Sequence, residues 1–299
     1  MSSESNIVYH AFGLNIASDL PFLNMPERQA IPDVVVRYGA VPDAIPGAVN
    51  KSAWYQAAPG AFLFRVDGVA GYHITRGKRI TIERAAGALD EEILLFLMGS
   101  AMGALLHQRG MLPLHAGAIA VDNEAVLFCG PSGIGKSTLS AAFHKRGLPL
   151  LADDVCGVTV GREVRVVAGF SQLKLWEDSL GQLNKSKDGL RRVSKDPDFR
   201  KFFVPIDPPG TQALAVRSLF ILSSAGKDEF EVSELKGRAR IEPVMANTYR
   251  PGFLKGLGIQ QAHFRMCARL ANQARVIRVI RPEQGFRLDE LMDLVAAHW

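Results

Sequence analysis

Residues 125–138 read AVLFCGPSGIGKST, and this stretch decides the fold. Its first part, 125–129, is an apolar run, and its second part, 130–137, fits the pattern G-x-x-x-x-G-K-[ST]. The apolar run predicts a buried strand, and 138–146 predicts a helix that ends at Gly147 and Pro149. A strand, a glycine-rich loop and a helix in this order predict a phosphate-binding loop.

The residue types of this loop each have a physical role. Glycines let backbone N–H groups turn towards a phosphate, and the N-terminus of the following helix favours an anion. Lys136 would reach the β- and γ-phosphates, and Ser137 would be a ligand of Mg²⁺. We therefore predict binding of a nucleoside triphosphate, taken as ATP with Mg²⁺, by Gly130, Pro131, Ser132, Gly133, Ile134, Gly135, Lys136, Ser137 and Thr138. A chance tight turn before a helix is the alternative, which the flanking strand and helix disfavour.

Two adjacent carboxylates follow the next predicted strand. Residues 148–152 are mostly apolar, and Asp153 and Asp154 come directly after them. Ligands of open α/β sheets lie at the carboxyl ends of the strands, so we expect both side chains beside the phosphate loop. One carboxylate could then orient an acceptor hydroxyl and take its proton, while the other helps to hold the metal. A solvated turn or a helix cap is the alternative.

A single histidine, His115, lies in the apolar segment 113–118 that leads towards the phosphate loop. From its position alone, a hydrogen-bonded core histidine is the more common outcome for such a residue.

The remaining pattern predicts an α/β fold in two parts. Residues 1–88 predict a mostly β N-terminal module that could dock a substrate, and residues 89–299 the phosphate-loop domain. Acidic residues at 90–92 predict the start of a helix that runs to about Gln108. Strands are predicted at 7–16, 33–38, 62–66, 72–75, 79–83, 112–121, 164–168 and 216–222, and further helices at 259–273 and 288–298.

Composition excludes several classes of protein. The net charge is +5, 47% of residues are hydrophobic, and no basic segment followed by an apolar one opens the chain. The longest apolar run, 93–106, is shorter than the roughly 20 residues of a membrane-spanning helix. We therefore expect a cytoplasmic protein without a membrane partner. Three distant cysteines, Cys129, Cys156 and Cys267, suggest neither disulfides nor a zinc site.

A basic segment follows at 185–201, with acidic residues interspersed and no alternating aromatic residues. Such a segment does not form a stacking platform for bases, so we expect no nucleic-acid partner. It predicts either a solvated loop or a loop that binds phosphates or a peptide, and both interpretations stay open. Its basic residues are Lys185, Lys187, Arg191, Arg192, Lys195, Arg200 and Lys201.

Several motifs of the chain resemble those of the C-terminal catalytic domain of HPr kinase/phosphorylase and of the related kinases of lasso-peptide biosynthesis. The resemblance is carried by 114–117 (LHAG), the phosphate loop and 146–154 (RGLPLLADD), and 9–18 (YHAFGLNIAS) is similar to the N-terminus of the lasso-type kinases. It implies a P-loop kinase core whose active site is formed by His115, Lys136, Asp153 and Asp154. It further implies Asp153 as the base, with Ser137 and Asp154 at the metal.

The chain departs from the bifunctional enzyme downstream of the aspartates. The second signature of that enzyme is missing, and 173–178 (LKLWED) occupies its region. Phosphorolysis is therefore not expected. Glu177 is the candidate for a second metal-ligating carboxylate, and a solvated helix N-terminal residue is the alternative.

We predict an ATP-dependent serine kinase whose partner is a peptide or small protein, taken as a lasso-type precursor peptide. The alternatives are a serine kinase of an HPr-type phosphocarrier, a regulatory nucleotide-binding protein that transfers no phosphate, and a small-molecule kinase. The resemblance also implies a homo-oligomer.

Overall fold

The first nine strands form a single sheet in the computed structural model, which describes residues 7–22, 24–51, 54–194, 198–208, 210–226, 228–283, 285 and 287–299. The strands are β1 (Ile7–Ala11), β2 (Leu14–Ser18), β3 (Arg28–Gln29), β4 (Val34–Tyr38), β5 (Asn50–Lys51), β6 (Tyr55–Ala58), β7 (Ala61–Val66), β8 (Ala70–Thr75) and β9 (Arg79–Arg84). Their order in the sheet is β3-β1-β2-β4-β9-β8-β7-β6-β5. The single strand predicted over 7–16 is a hairpin, because Phe12 and Gly13 have positive φ angles of 56° and 70° and turn the chain.

The predicted helix over 90–108 is present and lies on this sheet. It consists of α1 (Asp90–Phe96), a π-helical turn (Leu97–Ala101) and α2 (Met102–Gln108). The Tyr72 hydroxyl of β8 donates a hydrogen bond to the Ile93 carbonyl at 3.0 Å. The periodicity of the sequence did not predict the π-helical turn, a feature that often occurs at functional sites.

The second half of the chain builds another large sheet. Its elements are β10 (Leu112–Leu114), β11 (Ala116–Val121), β12 (Glu124–Cys129), α3 (Lys136–Lys145), β13 (Leu150–Ala152), β14 (Cys156–Val160), β15 (Val164–Val167), β16 (Gln172–Trp176), α4 (Glu177–Gln182), β17 (Arg191–Arg192), β18 (Lys201–Pro205), β19 (Leu214–Ala225), β20 (Glu231–Glu234), a 3₁₀ turn (Gly237–Arg240), α5 (Ile241–Ala246), α6 (Phe253–Leu257), α7 (Gln260–Gln273), β21 (Arg275–Pro282) and α8 (Leu288–Ala296). The strand order is β10-β14-β15-β19-β12-β11-β13, with β21 on β19 and β20 on β21. The protein is thus a mixed α/β structure with large sheets.

Strand direction positions the site. β11 is antiparallel to both β12 and β13, so β12 and β13 run the same way and end at the same edge. β12 is parallel to β19, and β19 to β21. The strand predicted over 112–121 is two strands, because the His115 N–H donates to the Asn247 carbonyl instead of a neighbouring strand.

A small sheet of order β16-β18-β17 lies against the phosphate-loop helix. Apolar residues of β16 and β18, including Leu173 and Val204, belong to the same buried cluster as Leu139 and Phe143 of α3. Because neighbouring residues of a strand point to opposite faces, this packing directs Lys174 to the other side of β16. The small sheet therefore brings basic residues next to the phosphate loop.

The two halves share apolar packing. The buried cluster beneath the N-terminal sheet continues through the helix over 90–108 to Tyr249 and Phe253. The boundary at 88/89 remains a prediction. In the part of the chain that the structure describes, no helix has the length and apolar character needed to cross a membrane.

Candidate active site

The glycine-rich loop lies at the carboxyl end of β12. Gly130, Gly133 and Gly135 have positive φ angles of 141°, 82° and 104°. A Cβ at Gly130 would also overlap the carbonyl oxygen of Leu222, where β19 runs alongside. Glycine at 130 is therefore required by both backbone conformation and space. Helix α3 begins at Lys136, so its N-terminal N–H groups face the loop.

A second glycine allows α3 to approach the sheet. A Cβ at Gly117 on β11 would overlap the hydroxyl oxygen of Ser140 on α3. The glycine of the 114–117 motif thus permits close contact between β11 and the helix that carries Lys136. This spacing places the loop directly beside His115, which lies between β10 and β11.

Lys136 is folded into the loop. Its Nζ donates hydrogen bonds to the carbonyls of Gly130 and Pro131 at 2.8 and 3.0 Å, and the residue is 6% exposed. Burial lowers the pKa of Lys136, although attraction to Asp153 and Asp154 opposes that change. The ammonium group therefore lies between the loop backbone and the acidic pair.

Asp153 has one carboxylate oxygen without a hydrogen bond. Its Oδ2 accepts a hydrogen bond from the Lys174 backbone N–H at 3.0 Å. Its Oδ1 is buried and has no hydrogen-bond partner among the described residues. Burial raises the pKa of Asp153, and the neighbouring Ser137 hydroxyl counteracts the rise. A buried, incompletely satisfied carboxylate beside a hydroxyl is a suitable place for a cation.

Asp154 is held by two basic side chains. Lys174 Nζ donates to its Oδ2 at 2.9 Å, and His115 Nδ1 lies 3.3 Å from its Oδ1. Burial alone would raise the pKa of Asp154, but Lys174 and His115 outweigh burial and hold the pKa well below its ordinary value. The backbone of Asp154 has φ 68°, a left-handed conformation that is uncommon outside glycine and that clusters at functional sites.

Lys201 supplies a further positive charge. It pairs with Trp176 in the register of β16 and β18, and its Nζ lies 5.5 Å from the centre of the Trp176 ring. Burial lowers the pKa of Lys201, while Asp153 and Asp154 attract its charge and oppose the change. No ion pair joins Lys201 to a carboxylate within the described ranges. Its Nζ lies near the smaller cavity, because Lys201 is one of the residues that line it.

Two cavities flank this cluster. The smaller has a volume of about 90 Å³ and is lined by the second half of the loop with Lys136, Ser137 and Lys201. The larger has a volume of about 810 Å³ and is lined by the start of the loop, the end of β19 and residues 246–251. Four residues line both cavities: His115, Ser132, Asp154 and Lys174.

The structure places the predicted site residues together. His115, Lys136, Ser137 and the two aspartates converge at one edge of the sheet, and Thr138 of α3 lines the smaller cavity. Glu177, the candidate second metal ligand, is instead ion-paired with Lys187 and Arg200 and lines neither cavity. Arg191 pairs with Glu91 at 3.4 Å, and Lys195 lies outside the described residues.

Sequence reasoning missed the site residues Lys174, Asn247 and Arg250, whereas Lys201 belongs to the basic segment for which phosphate binding was one of two interpretations. A lysine between two leucines in 173–175 was the one local signal for Lys174, because a charge on a strand buried by its neighbours needs a partner. Asn247 and Arg250 come from elements far along the chain, and no local pattern marks them.

Comparison with known proteins finds similarities both in sequence and in structure. No family profile matches the chain. A stretch of 59 residues, 19% of the chain, is 48% identical to phosphoenolpyruvate carboxykinase (ATP) of Shouchella clausii (strain KSM-K16) and spans 11% of that protein. The structure of the Hpr(Ser) kinase/phosphatase from Coxiella burnetii aligns with 62% of the chain and 89% of its own, at 16% identity and a TM-score of 0.32.

Proposed function

We propose that the chain is an ATP-dependent kinase that transfers the γ-phosphoryl group to a serine hydroxyl of a peptide or small protein. The observation that carries the proposal is the convergence of a glycine-rich loop, Lys136 and two aspartates between two cavities. The loop and the N-terminus of α3 provide backbone donors and a helix dipole for a triphosphate. The similar stretch in an enzyme named for its use of ATP supports ATP as the donor.

The residues present fit Mg²⁺. Ser137 and Asp153 offer the oxygen ligands that this ion prefers, and the unsatisfied Oδ1 of Asp153 would gain a partner. When bound there, Mg²⁺ would neutralise charge on the β- and γ-phosphates. In this proposal Asp153 takes the metal-binding role that the resemblance implies for Asp154.

Asp154 then takes the role of orienting the acceptor. It lines both cavities, whereas Asp153 lines neither. The basic groups of Lys174 and His115 keep Asp154 ionised, so its oxygens accept the hydrogen bond of a substrate hydroxyl. Because the transition state of phosphoryl transfer is loose, holding the hydroxyl in line matters more than removing its proton early.

The proposal is tested by intact-mass measurement. The purified protein is incubated with ATP, Mg²⁺ and either a lasso-type precursor peptide or an HPr-type phosphocarrier, and a gain of one phosphate is sought. Asp154→Asn is expected to keep ATP binding and to lose at least about a hundredfold of the transfer rate. Asp153→Asn is expected to raise the Mg²⁺ concentration that half-saturates transfer, and the exposed Asp178→Asn of α4 serves as the control.

The outcomes separate the candidate functions. Phosphate on the peptide alone supports a precursor-peptide kinase, and phosphate on the carrier alone supports a regulatory kinase. Tight ATP binding with transfer to neither acceptor would overturn the precursor-peptide and phosphocarrier kinases, and it favours a nucleotide-binding protein without transferase activity or a small-molecule kinase.

A further inference from the structure

The two cavities share part of their lining but differ in the rest of it. Lys136 and Ser137, which face the phosphates in a loop of this type, line only the smaller cavity. The first residues of the loop, Gly130 and Pro131, line only the larger one. His115, Ser132, Asp154 and Lys174 line both. These four shared residues therefore lie where the phosphoryl group would move from one cavity to the other.

In-line transfer requires the acceptor and the leaving oxygen on opposite sides of the phosphoryl group. With the phosphates held by Lys136 and the N-terminus of α3, the larger cavity offers an acceptor a separate space that shares Asp154 with the smaller cavity. Its volume of about 810 Å³ lies within the range of about 300–1,000 Å³ typical of sites that enclose a ligand. A space of this size accommodates several side chains of a peptide.

The walls of the larger cavity are mainly apolar. Leu95 and Phe96 of α1, Ile221 and Leu222 of β19, and Pro251 contribute carbon surface. Hydroxyl groups of Ser100, Ser223 and Thr248 are interspersed. An apolar side chain of a ligand would gain roughly 25 cal/mol for each Å² that it buries here.

The charge of this cavity is unbalanced. Asp154 is the one carboxylate among its lining residues, and Lys174 already neutralises it at 2.9 Å. Arg250 adds a second cation at the exposed end of the lining, and its guanidinium lies 5.5 and 5.8 Å from the ring centres of Trp54 and Tyr249. Within the described residues Arg250 has aromatic neighbours but no ion pair with a carboxylate. Its charge therefore favours an anionic ligand.

We propose that the larger cavity is the acceptor site and that it takes an acidic peptide segment. The serine lies at Asp154, an adjacent apolar side chain contacts Leu95 and Phe96, and an acidic group of the peptide pairs with Arg250. This inference rests on the proposed function, but it makes a separate statement about which peptides bind.

Binding of matched peptides tests the inference. Two sets of acetylated, amidated peptides all contain Leu-Ser. Each peptide of the first set has a single Glu after the serine, and the position of this Glu differs from peptide to peptide. The second set is identical except that Lys replaces Glu. Each set is titrated calorimetrically into the full chain with Mg²⁺ and a non-hydrolysable ATP analogue, and ATP is then used to measure phosphate transfer. Arg250→Asn and Arg250→Asp are compared with wild type, because Asn and Asp tolerate the positive φ of 53° at this position. Arg238→Asn, an exposed arginine of the 3₁₀ turn, is the control.

The expected result is at least tenfold tighter binding of the best Glu peptide than of its Lys counterpart. Arg250→Asn should abolish this preference, Arg250→Asp should reverse it, and Arg238→Asn should leave it unchanged. Equal binding of the two sets, binding of neither, or a preference that survives in Arg250→Asn would overturn the inference. Selective binding without any transfer would support an acidic-peptide site in the larger cavity and contradict the kinase, so the two proposals fail separately.

Discussion

The side-chain Oδ1 of Asn247 accepts a hydrogen bond from the backbone N–H of Gly130 at 2.7 Å. The carbonyl of the same asparagine accepts the N–H of His115 at 2.7 Å, and its Nδ2 donates to the Pro243 carbonyl at 2.7 Å. One residue thus joins the first glycine of the phosphate loop to the segment 246–251. The glycine-rich loop and the segment that lines the proposed acceptor site are therefore joined by hydrogen bonds at this point.

Asn247→Ala is expected to weaken ATP binding by about tenfold. The substitution leaves the buried Gly130 N–H without its partner, a loss of about 1–3 kcal/mol, and it frees the loop to adopt other conformations. The measurement is a fluorescence titration with mant-ATP. The control is Asn272→Ala on α7, whose side chain contacts Arg240 and not the loop. Unchanged affinity in Asn247→Ala would show that the hydrogen bond does not organise the site.

Lys136→Ala is expected to lower ATP affinity by at least about a hundredfold. Hydrogen bonds to charged groups are each worth about 1.5–3 kcal/mol, and a lysine at this position would make more than one to the phosphates. Lys145→Ala, at the opposite end of the same helix, is the matched control, since its Nζ donates to the Leu183 carbonyl. Equal effects of the two substitutions on mant-ATP binding would contradict phosphate binding by the loop.

Lys201→Met is expected to reduce the preference for ATP over ADP by about tenfold. Lys201 lines the smaller cavity, and its charge is attracted by both aspartates. Removing this charge should therefore reduce the affinity most for the nucleotide that carries a γ-phosphate. Titrations with mant-ATP and mant-ADP give the ratio directly. Arg200→Met, one residue earlier and ion-paired with Glu177, is the control. A ratio equal to that of wild type would place Lys201 outside the γ-phosphate site.

His107 is expected to make the stability pH-dependent. It is buried, its Nε2–H donates to the Tyr249 carbonyl at 3.0 Å, and burial lowers its pKa from 6.5 to about 4. Between these values the unfolded chain binds more protons than the folded one. The free energy of unfolding therefore falls as the pH drops from 6.5 towards about 4, by up to about 3 kcal/mol.

Urea unfolding at pH 7 and pH 5 measures this contribution. His107→Gln, which keeps a donor for Tyr249 but does not titrate, should lose about 2 kcal/mol less than wild type between the two values. The partly buried His298→Gln is the control. A loss in His107→Gln equal to that of wild type would assign the pH dependence to other groups.

The sequence predicted those parts of the fold that local patterns encode. The glycine-rich loop between β12 and α3 follows from residue types at fixed spacing, and the helix over 90–108 follows from its acidic start and apolar periodicity. The edge position of Asp153 and Asp154 could be inferred because a single short helix separates β12 from β13. These features depend on residues that are close in the chain.

Long-range contacts decided the rest. The strand over 112–121 breaks at His115 because Asn247, distant in sequence, takes its N–H. Lys174 and Lys201 reach the site through a small sheet whose strands pair across a long loop. The roles proposed for the two aspartates rest on which of them lines the cavities, and a pair of adjacent identical residues carries no signal for that difference.

The π-helical turn at Leu97–Ala101 also determines how α1 is rotated about its axis relative to α2, and Leu95 and Phe96 of α1 line the larger cavity. A π-helical turn accommodates one more residue than an α-helical turn. Deleting one residue there would rotate Leu95 and Phe96 by about 100° relative to α2, because each residue of an α-helix advances by that angle. A single-codon deletion would thus exchange the side chains that line the proposed acceptor site while the glycine-rich loop stays untouched, which would offer a short mutational route to a new acceptor.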